Sequence, residues 1–132
     1  MDIFSPKINH HGFCLIGEAE CVIPQLLNEL EKRWNIQTKA NPDCHIYRFD
    51  RMVVSDSRDI VQRSHRKSFG QARRLFIISA NSITASAQNA LLKSLEEPGD
   101  NTTFYLVVPN EEVLISTVKS RLLITLWRQS SV

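Results

Sequence analysis

Apolar residues along the chain alternate between short runs and helical spacings. Uninterrupted apolar runs occupy 13–16, 75–78 and most of 102–108. Runs of this length are typical of strands buried on both faces, as in a parallel sheet. After the first run, apolar side chains recur every three or four positions, at Val22, Ile23, Leu26, Leu27, Leu30 and Trp34. That spacing predicts an amphipathic helix.

The same pattern continues through the chain and predicts five strands separated by helices. The strands are expected at 13–16, 44–49, 75–78, 102–108 and 122–127. The first helix is expected from about Val22 to Trp34 with Pro24 in the first turn, and the second from a Ser55 or Asp56 cap to about Ser68. The third is expected from a Thr84 cap to Leu95, and a short fourth helix after an Asn110 cap. Gly70 and the Glu-Glu-Pro-Gly segment at 96–99 are expected to end the second and third helices.

This alternation predicts the fold class. We expect an α/β fold of three layers, with a five-stranded, mainly parallel sheet and helices on both faces. Ligands of such folds bind at the carboxyl ends of the strands, so the residues just after each strand are the candidates for chemistry.

Composition supports one globular, soluble domain over 1–132. Apolar residues make up 42% of the 132 residues and the formal net charge is +2, which alone does not indicate nucleic acid. We see neither a signal peptide nor a membrane-spanning run, so we expect a cytoplasmic protein. The three cysteines, Cys14, Cys21 and Cys44, form neither a disulfide framework nor a zinc motif, and Cys14 is expected in the core. No metal site is predicted.

Positive charge is concentrated in one segment. Half of the 16 lysines and arginines lie between positions 48 and 74, namely Arg48, Arg51, Arg58, Arg63, Arg66, Lys67, Arg73 and Arg74. One interpretation is a solvated helix face, and the other is a surface that meets DNA or an acidic partner.

The segment Ala-Gln-Asn-Ala-Leu-Leu-Lys-Ser-Leu-Glu-Glu-Pro at 87–98 carries a family resemblance. It resembles the clamp-loader subunits of bacterial DNA polymerase III, particularly gamma and delta-prime, and replication factor C beyond bacteria. The 103–108 strand is similar to the family's sensor strand, and 114–121 is similar to the stretch that ends in its Ser-Arg-Cys motif. The resemblance covers about 10–123 and implies the AAA+ variety of P-loop ATPase fold.

The residues that would bind nucleotide in this family are absent. A phosphate-binding loop needs G-x-x-x-x-G-K-[ST], in which lysine neutralises phosphate charge and the hydroxyl binds magnesium. Counting from Gly17, Val22 stands at the second glycine, Ile23 at the lysine and Pro24 at the hydroxyl position. Glu18 adds negative charge at this loop, as does Glu20.

The part of the nucleotide site that would hold magnesium is degenerate as well. The family's Walker B strand ends in Asp-Glu, which hold magnesium and activate water. Here Ser79 and Ala80 follow the 75–78 strand. We therefore expect a protein without cofactor or ATPase activity, as the resemblance to delta-prime also implies. An enzyme with an unconventional nucleotide site is the less favoured reading.

One functional position of the family is retained. Ser120-Arg121 matches the start of Ser-Arg-Cys, with Leu122 in place of cysteine. The resemblance implies that Arg121 projects into a neighbouring subunit's ATP site as an arginine finger; the alternative is a surface arginine that opens a strand. The partners implied are other clamp-loader or replication subunits, with DNA contact indirect. The family's lid and collar domains are not expected within this chain.

The residues leave a different function open. A stand-alone DNA-binding or regulatory module could use the basic 48–74 segment without any nucleotide chemistry. Such binding would weaken steeply with salt, because phosphate contacts release counterions.

Overall fold

One parallel sheet forms the centre of the molecule. The computed structural model describes residues 12–66, 73–97 and 101–127. Its strands are β1 (Gly12–Ile16), β2 (Cys44–Met52), β3 (Arg74–Ile83), β4 (Thr102–Val108) and β5 (Leu123–Leu126). They lie in the order β2-β3-β4-β1-β5, and every neighbouring pair is parallel.

Helices connect the strands, as the sequence predicts. They are α1 (Ala19–Trp34), α2 (Val54–Ser64), α3 (Ala85–Glu96) and α4 (Ser116–Lys119), with a 3₁₀ turn at Glu111–Val113 between β4 and α4. The predicted α/β fold with a five-stranded sheet is confirmed. The sheet is wholly parallel rather than only mainly so.

The sheet buries an apolar layer on each face. Along β1, Phe13 and Leu15 point to the face covered by α1, where they meet Leu26 and Leu30. The intervening Cys14 belongs to the layer under α2, α3 and α4. Among the described residues, α1 therefore covers the first face, and α2, α3 and α4 cover the second.

Burial on both faces has a chemical consequence at Cys14. Its side chain is fully buried, so the prediction that Cys14 is a core residue is confirmed. Desolvation, with a smaller contribution from the negative charge of Glu111, raises the pKa of the Cys14 thiol to about 12. This thiol therefore stays protonated and unreactive in the folded protein.

Two strands extend beyond their predicted ends. We expected β2 to end at Phe49 and β3 at Ile78, but they continue to Met52 and Ile83. The two strands stay paired along the extension, where Met52 lies opposite Ile83. The side chains of both residues are buried beneath the second helical layer. Pairing with β2, together with the burial of Ile83 at the end of β3, thus keeps the polar residues Asn81 and Ser82 in strand conformation.

Helix boundaries differ from expectation at three points. Because α1 begins at Ala19, Pro24 lies in its second turn rather than the first. Helix α2 begins at Val54 and ends at Ser64, earlier than the predicted limits. The expected caps Gly70 and Pro98-Gly99, like Lys67 and Ser68, lie outside the described residues.

Two predicted caps have different outcomes. The Thr84 cap is confirmed, since its Oγ1 accepts a hydrogen bond of 3.1 Å from the backbone N–H of Ala87. Asn110 precedes the 3₁₀ turn, but its side chain makes no capping hydrogen bond.

Candidate functional site

A cavity opens at the carboxyl ends of the strands, where ligands of such folds bind. Its volume is about 360 Å³. Its walls come from the β1–α1 connection, from β2 and β3, and from the end of β4; the lining residues are Gly17, Glu18, Ala19, Glu20, Arg48, Phe49, Asp50, Ser79, Ala80, Asn81, Val107 and Pro109.

The connection after β1 is too short to cradle a phosphate. Only Gly17 and Glu18 separate β1 from α1. The Gly17 N–H donates to the Val108 carbonyl at 2.9 Å, which fixes the connection to β4. A Cβ on Gly17 would lie 2.8 Å from Val22 Cγ2, so this close approach requires glycine.

The expected phosphate-loop positions lie inside α1 instead of in a loop. Val22 and Ile23 are buried against the sheet, with relative exposures of 1% and 0%. Pro24 faces solvent and has no N–H. The first-turn amides of Cys21 and Val22 donate to the Glu18 carbonyl at 3.0 and 2.8 Å. The position that a lysine would need is therefore part of the hydrophobic core.

The charges lining the cavity do not suit a polyphosphate. Three carboxylates, Glu18, Glu20 and Asp50, line it together with one guanidinium, that of Arg48. Asn81 Nδ2 donates to Asp50 Oδ1 at 2.9 Å, so the amide is already engaged with a carboxylate. Repulsion between these carboxylates and a triphosphate disfavours nucleotide.

The positions expected for Walker B carboxylates lie within β3. Ser79 and Ala80 are both nearly buried, with exposures of 4% and 3%. Ser79 Oγ lies 3.5 Å from the Tyr47 carbonyl, at the limit of a hydrogen bond. Neither side chain has a carboxylate with which to hold a metal ion. The residues of this cavity therefore do not fit Mg-ATP.

The retained Ser120-Arg121 pair lies at the opposite edge of the sheet. Both residues follow α4 and precede β5, whose first residue pairs with Phe13 near the start of β1. The guanidinium of Arg121 forms an ion pair with Glu96, the last residue of α3. Ser120 Oγ donates to the Thr117 carbonyl at 2.9 Å. Arg121 thus points away from the cavity of its own chain.

Gln88, on α3, fixes the segment that leads to Arg121. The side chain is 3% exposed. Its Nε2 donates to the carbonyls of Ile83 and Val113 at 3.0 and 2.9 Å, and its Oε1 accepts from the Ile115 N–H at 2.7 Å. We call this set of three hydrogen bonds the Gln88 clamp. Helix α3 therefore holds the segment before α4 by the Gln88 clamp at its start and contacts Arg121 through Glu96 at its end.

Comparison with known proteins identifies the family. A family model described as "DNA polymerase III, delta subunit" matches residues 10–130. The chain belongs to this family. The resemblance to DNA polymerase III clamp-loader subunits, found from the 87–98 segment, is thereby confirmed.

Curated relatives of this family match in sequence. DNA polymerase III subunit delta' of Bacillus subtilis is 31% identical over 112 residues, which are 83% of this chain and 32% of the relative. The corresponding protein of Escherichia coli is 35% identical over 69 residues, which are 52% of this chain and 21% of the relative. The chain thus spans less than half the length of these relatives.

A solved structure matches the family fold. A DNA polymerase III gamma subunit-related protein from Thermotoga maritima superposes with a TM-score of 0.76 at 23% identity. The match covers 92% of this chain and 42% of the other. At this level of identity the likeness shows the shared fold, which agrees with the AAA+-like architecture expected from the sequence.

The basic segment of this family member does not form one surface. Arg48 lines the cavity at the carboxyl ends of the strands. The side chain of Arg73 stacks on Trp34 of α1, with 3.9 Å from Cζ to the ring centroid. Arg51, Arg58, Arg63 and Arg66 are exposed on β2, α2 and the turn that follows α2. Lys67 lies outside the described residues.

Arg74 is buried, so the prediction that it belongs to an exposed basic surface is wrong. It is 7% exposed. Its guanidinium donates to the carbonyls of Arg63, Ser64 and Arg66 at 2.8–2.9 Å, which satisfies the carboxyl end of α2. The sequence places Arg74 next to Arg73 and does not distinguish a structural arginine from a surface one.

Neither a metal-binding cluster nor a membrane-spanning helix is present in the part of the chain that the structure describes. Within 12–66, 73–97 and 101–127, no cluster of three or more histidine, cysteine or carboxylate side chains could hold a metal ion. No helix in these ranges has the length and apolar character needed to cross a membrane.

Proposed function

We propose that this chain acts in DNA replication as a non-catalytic, clamp-loader-like subunit that works through contacts with other DNA polymerase III subunits in a hetero-oligomer. The observation that carries the proposal is the family match over 10–130. The relatives that match are themselves named as delta' subunits of DNA polymerase III. A cytoplasmic location follows from this proposal, because bacterial replication takes place there.

The absence of ATP hydrolysis is the second part of the proposal. Phosphoryl transfer depends on charge stabilisation and positioning by lysine, metal ligands and a base. The cavity offers Glu18, Glu20 and Asp50 instead, and the lysine position is the buried Ile23. A pseudo-ATPase that requires no cofactor is the role that fits such a site.

The third part is that Arg121 serves as an arginine finger for a neighbour. Its side chain is 49% exposed, so a partner surface can reach it. Its place at the edge opposite the cavity favours action in trans over action on its own chain. A finger of this kind contributes about 10³–10⁵ in rate where it has been measured.

Mixing the protein with the ATPase subunit from the same organism tests this role. We expect wild type to stimulate ATP turnover and Arg121→Ala to lose most of the stimulation. Lys119→Ala is the matched control, since it removes a basic side chain two positions away on α4. Equal stimulation by wild type and Arg121→Ala would remove the finger from the proposal, and no association with any replication subunit would remove the role.

A DNA-binding module is the second candidate. The exposed guanidinium groups of Arg58, Arg63 and Arg66 support it, although Arg63 is paired with Asp59 at 3.7 Å. Fluorescence anisotropy with primed DNA at several salt concentrations tests it. The candidate predicts that Arg58→Gln weakens binding and lowers the salt dependence by about one unit of slope, while Arg33→Gln on α1 does not. No binding at low salt would remove this candidate.

A further inference from the structure

The carboxylate of Glu96, at the end of α3, lies beside the proposed arginine finger, Arg121. Arg121 Nη1 contacts Glu96 Oε1, and the two side chains are 49% and 34% exposed. We propose that Glu96 holds Arg121 in an intrachain ion pair while the subunit is alone, and that the arginine exchanges this carboxylate for the phosphates of a neighbour's nucleotide on assembly. This inference rests on the proposed role of Arg121 as a finger.

The backbone around this pair is fixed, which makes the pair a defined resting state. The Gln88 clamp ties Val113 and Ile115, which lead into α4, to the first turn of α3. At the end of α3, the Leu95 carbonyl lies 3.2 Å from the place of a Cβ on Gly12, and Leu122 Cδ2 lies 2.8 Å from it. The absence of a side chain at Gly12 lets Leu122 pack this closely. Glu96 and Arg121 are therefore held within reach of each other by their backbones.

Electrostatics explains why the pair must open. An arginine finger stabilises negative charge that develops on transferring phosphate, and it does so as an unpaired cation. A carboxylate beside the guanidinium cancels that charge and repels the phosphate. Because the pair is exposed to water, its opening costs little, and a stronger bidentate acceptor can displace the carboxylate. Glu96 is thus a positioning residue that lowers the availability of Arg121.

Glu97 provides a matched control. It follows Glu96 directly, is exposed, and forms no ion pair among the described residues. Glu96→Gln and Glu97→Gln remove the same unit of charge at adjacent positions, so a general effect of charge changes both alike. Only the proposed pair makes the two variants differ.

The first experiment observes the pair in the 132-residue chain without a partner. The Nε–H resonance of Arg121 is assigned by its loss in Arg121→Lys. We expect Glu96→Gln to shift this resonance and to speed its exchange with water, and Glu97→Gln to leave both unchanged. A resonance that stays the same in Glu96→Gln would overturn the pair, whatever the function of Arg121.

The second experiment measures the exchange during assembly. The protein is titrated into its cognate ATPase subunit, and the concentration for half-maximal stimulation of ATP turnover is recorded. We expect Glu96→Gln to lower this concentration about two- to fivefold, the range for an exposed ion pair. Glu97→Gln should leave it unchanged, and Glu96→Gln should have no effect in an Arg121→Ala background.

The outcomes separate this inference from the proposed function. Loss of stimulation in Arg121→Ala with no shift in Glu96→Gln would overturn the inference and leave the finger intact. Loss of stimulation in Glu96→Gln would show that Glu96 supports the active orientation, and would also overturn it. Full stimulation by Arg121→Ala would remove the finger and the inference together.

Discussion

The side chains at the two edges of the sheet differ in polarity. At the carboxyl edge, the positions where a nucleotide site would place its cation are apolar and buried, as at Val22 and Ile23. At the amino edge, polar side chains have defined partners: Arg74, the first residue of β3, donates to carbonyls at the end of α2, and Arg121 pairs with Glu96.

This difference shows which part of the fold still needs specific side chains. A core position constrains size and polarity, whereas a hydrogen-bonded side chain constrains chemical identity and direction. The carboxyl edge has become an extension of the core around α1. The amino edge has side chains of defined identity in Arg74 and Arg121, so the function we propose depends on surfaces rather than on a cavity.

The largest effect is expected from returning a lysine to the carboxyl edge. Ile23→Lys places a charge where the side chain is fully buried, and should lower the free energy of unfolding by about 4 kcal/mol or more. Pro24→Lys is the control; it is exposed and restores a helical N–H, so stability should be unchanged or higher. Urea unfolding measures both variants. A stable Ile23→Lys that binds ATP would contradict our account of this edge.

The next effect concerns the Gln88 clamp, which joins the first turn of α3 to the end of β3 and so lies at the carboxyl edge, outside the cavity lining. Gln88→Leu removes three hydrogen bonds and leaves backbone groups of the buried Ile83 and of the half-buried Val113 and Ile115 without this partner. We expect a loss of about 2–4 kcal/mol in urea unfolding. Asn89→Leu, at the exposed neighbouring position, should change stability by less than about 0.5 kcal/mol. Equal stabilities of the two variants would show that the clamp has no structural role.

A smaller effect is expected at Arg121 itself. Because its pair with Glu96 is exposed, Arg121→Ala should change the free energy of unfolding by less than about 1 kcal/mol. Thermal unfolding of wild type and variant measures this difference. A loss of several kcal/mol would mean that Arg121 serves the structure of the corner between α3 and α4, and a loss of function in the variant could no longer be assigned to a finger.

The smallest effect tests a polar group near the amino edge of the sheet. His45 on β2 stacks on Phe76 at 4.6 Å between ring centroids. Burial, followed by the positive charges of Arg74 and Arg63, lowers the pKa of His45 from its ordinary value of 6.5, while Asp43 opposes the shift.

A lowered histidine pKa has a definite sign for stability. The unfolded chain binds the proton more readily, so the free energy of unfolding should fall as the pH drops below about 6.5. Urea midpoints between pH 5 and 8 measure this slope. His45→Gln should flatten it and His65→Gln, at an exposed position, should not. A slope that persists in His45→Gln would assign the dependence to other groups.

Apolar periodicity was sufficient to predict the architecture. Runs such as 75–78 have the length and composition of buried parallel strands, and the spacing from Val22 to Trp34 matches one helix face. The extension of β3 to Ile83 could not be predicted in this way. Its residues Asn81 and Ser82 are polar, and they are held in the strand by pairing with β2, a contact distant in sequence.

The sequence predicts which nucleotide-binding residues the candidate site lacks, but it does not predict the hydrogen bonds that its side chains make. Absence of a lysine at Ile23 is visible in the sequence once the family is recognised. Pattern alone does not reveal that Gln88 bonds to residues 25 and 27 positions away. It also does not reveal that Arg74 turns inward to the end of α2 while Arg73 lies on Trp34. Such long-range polar contacts depend on the tertiary fold.

Calorimetric titration of the protein with Mg-ATP shows whether the cavity has lost nucleotide binding, with the cognate ATPase subunit as the positive control. We expect no saturable heat up to millimolar nucleotide, because three carboxylates and only one guanidinium line the cavity beside Gly17. Saturable binding that is abolished by a substitution in this cavity, such as Arg48→Glu, would show that the cavity binds nucleotide.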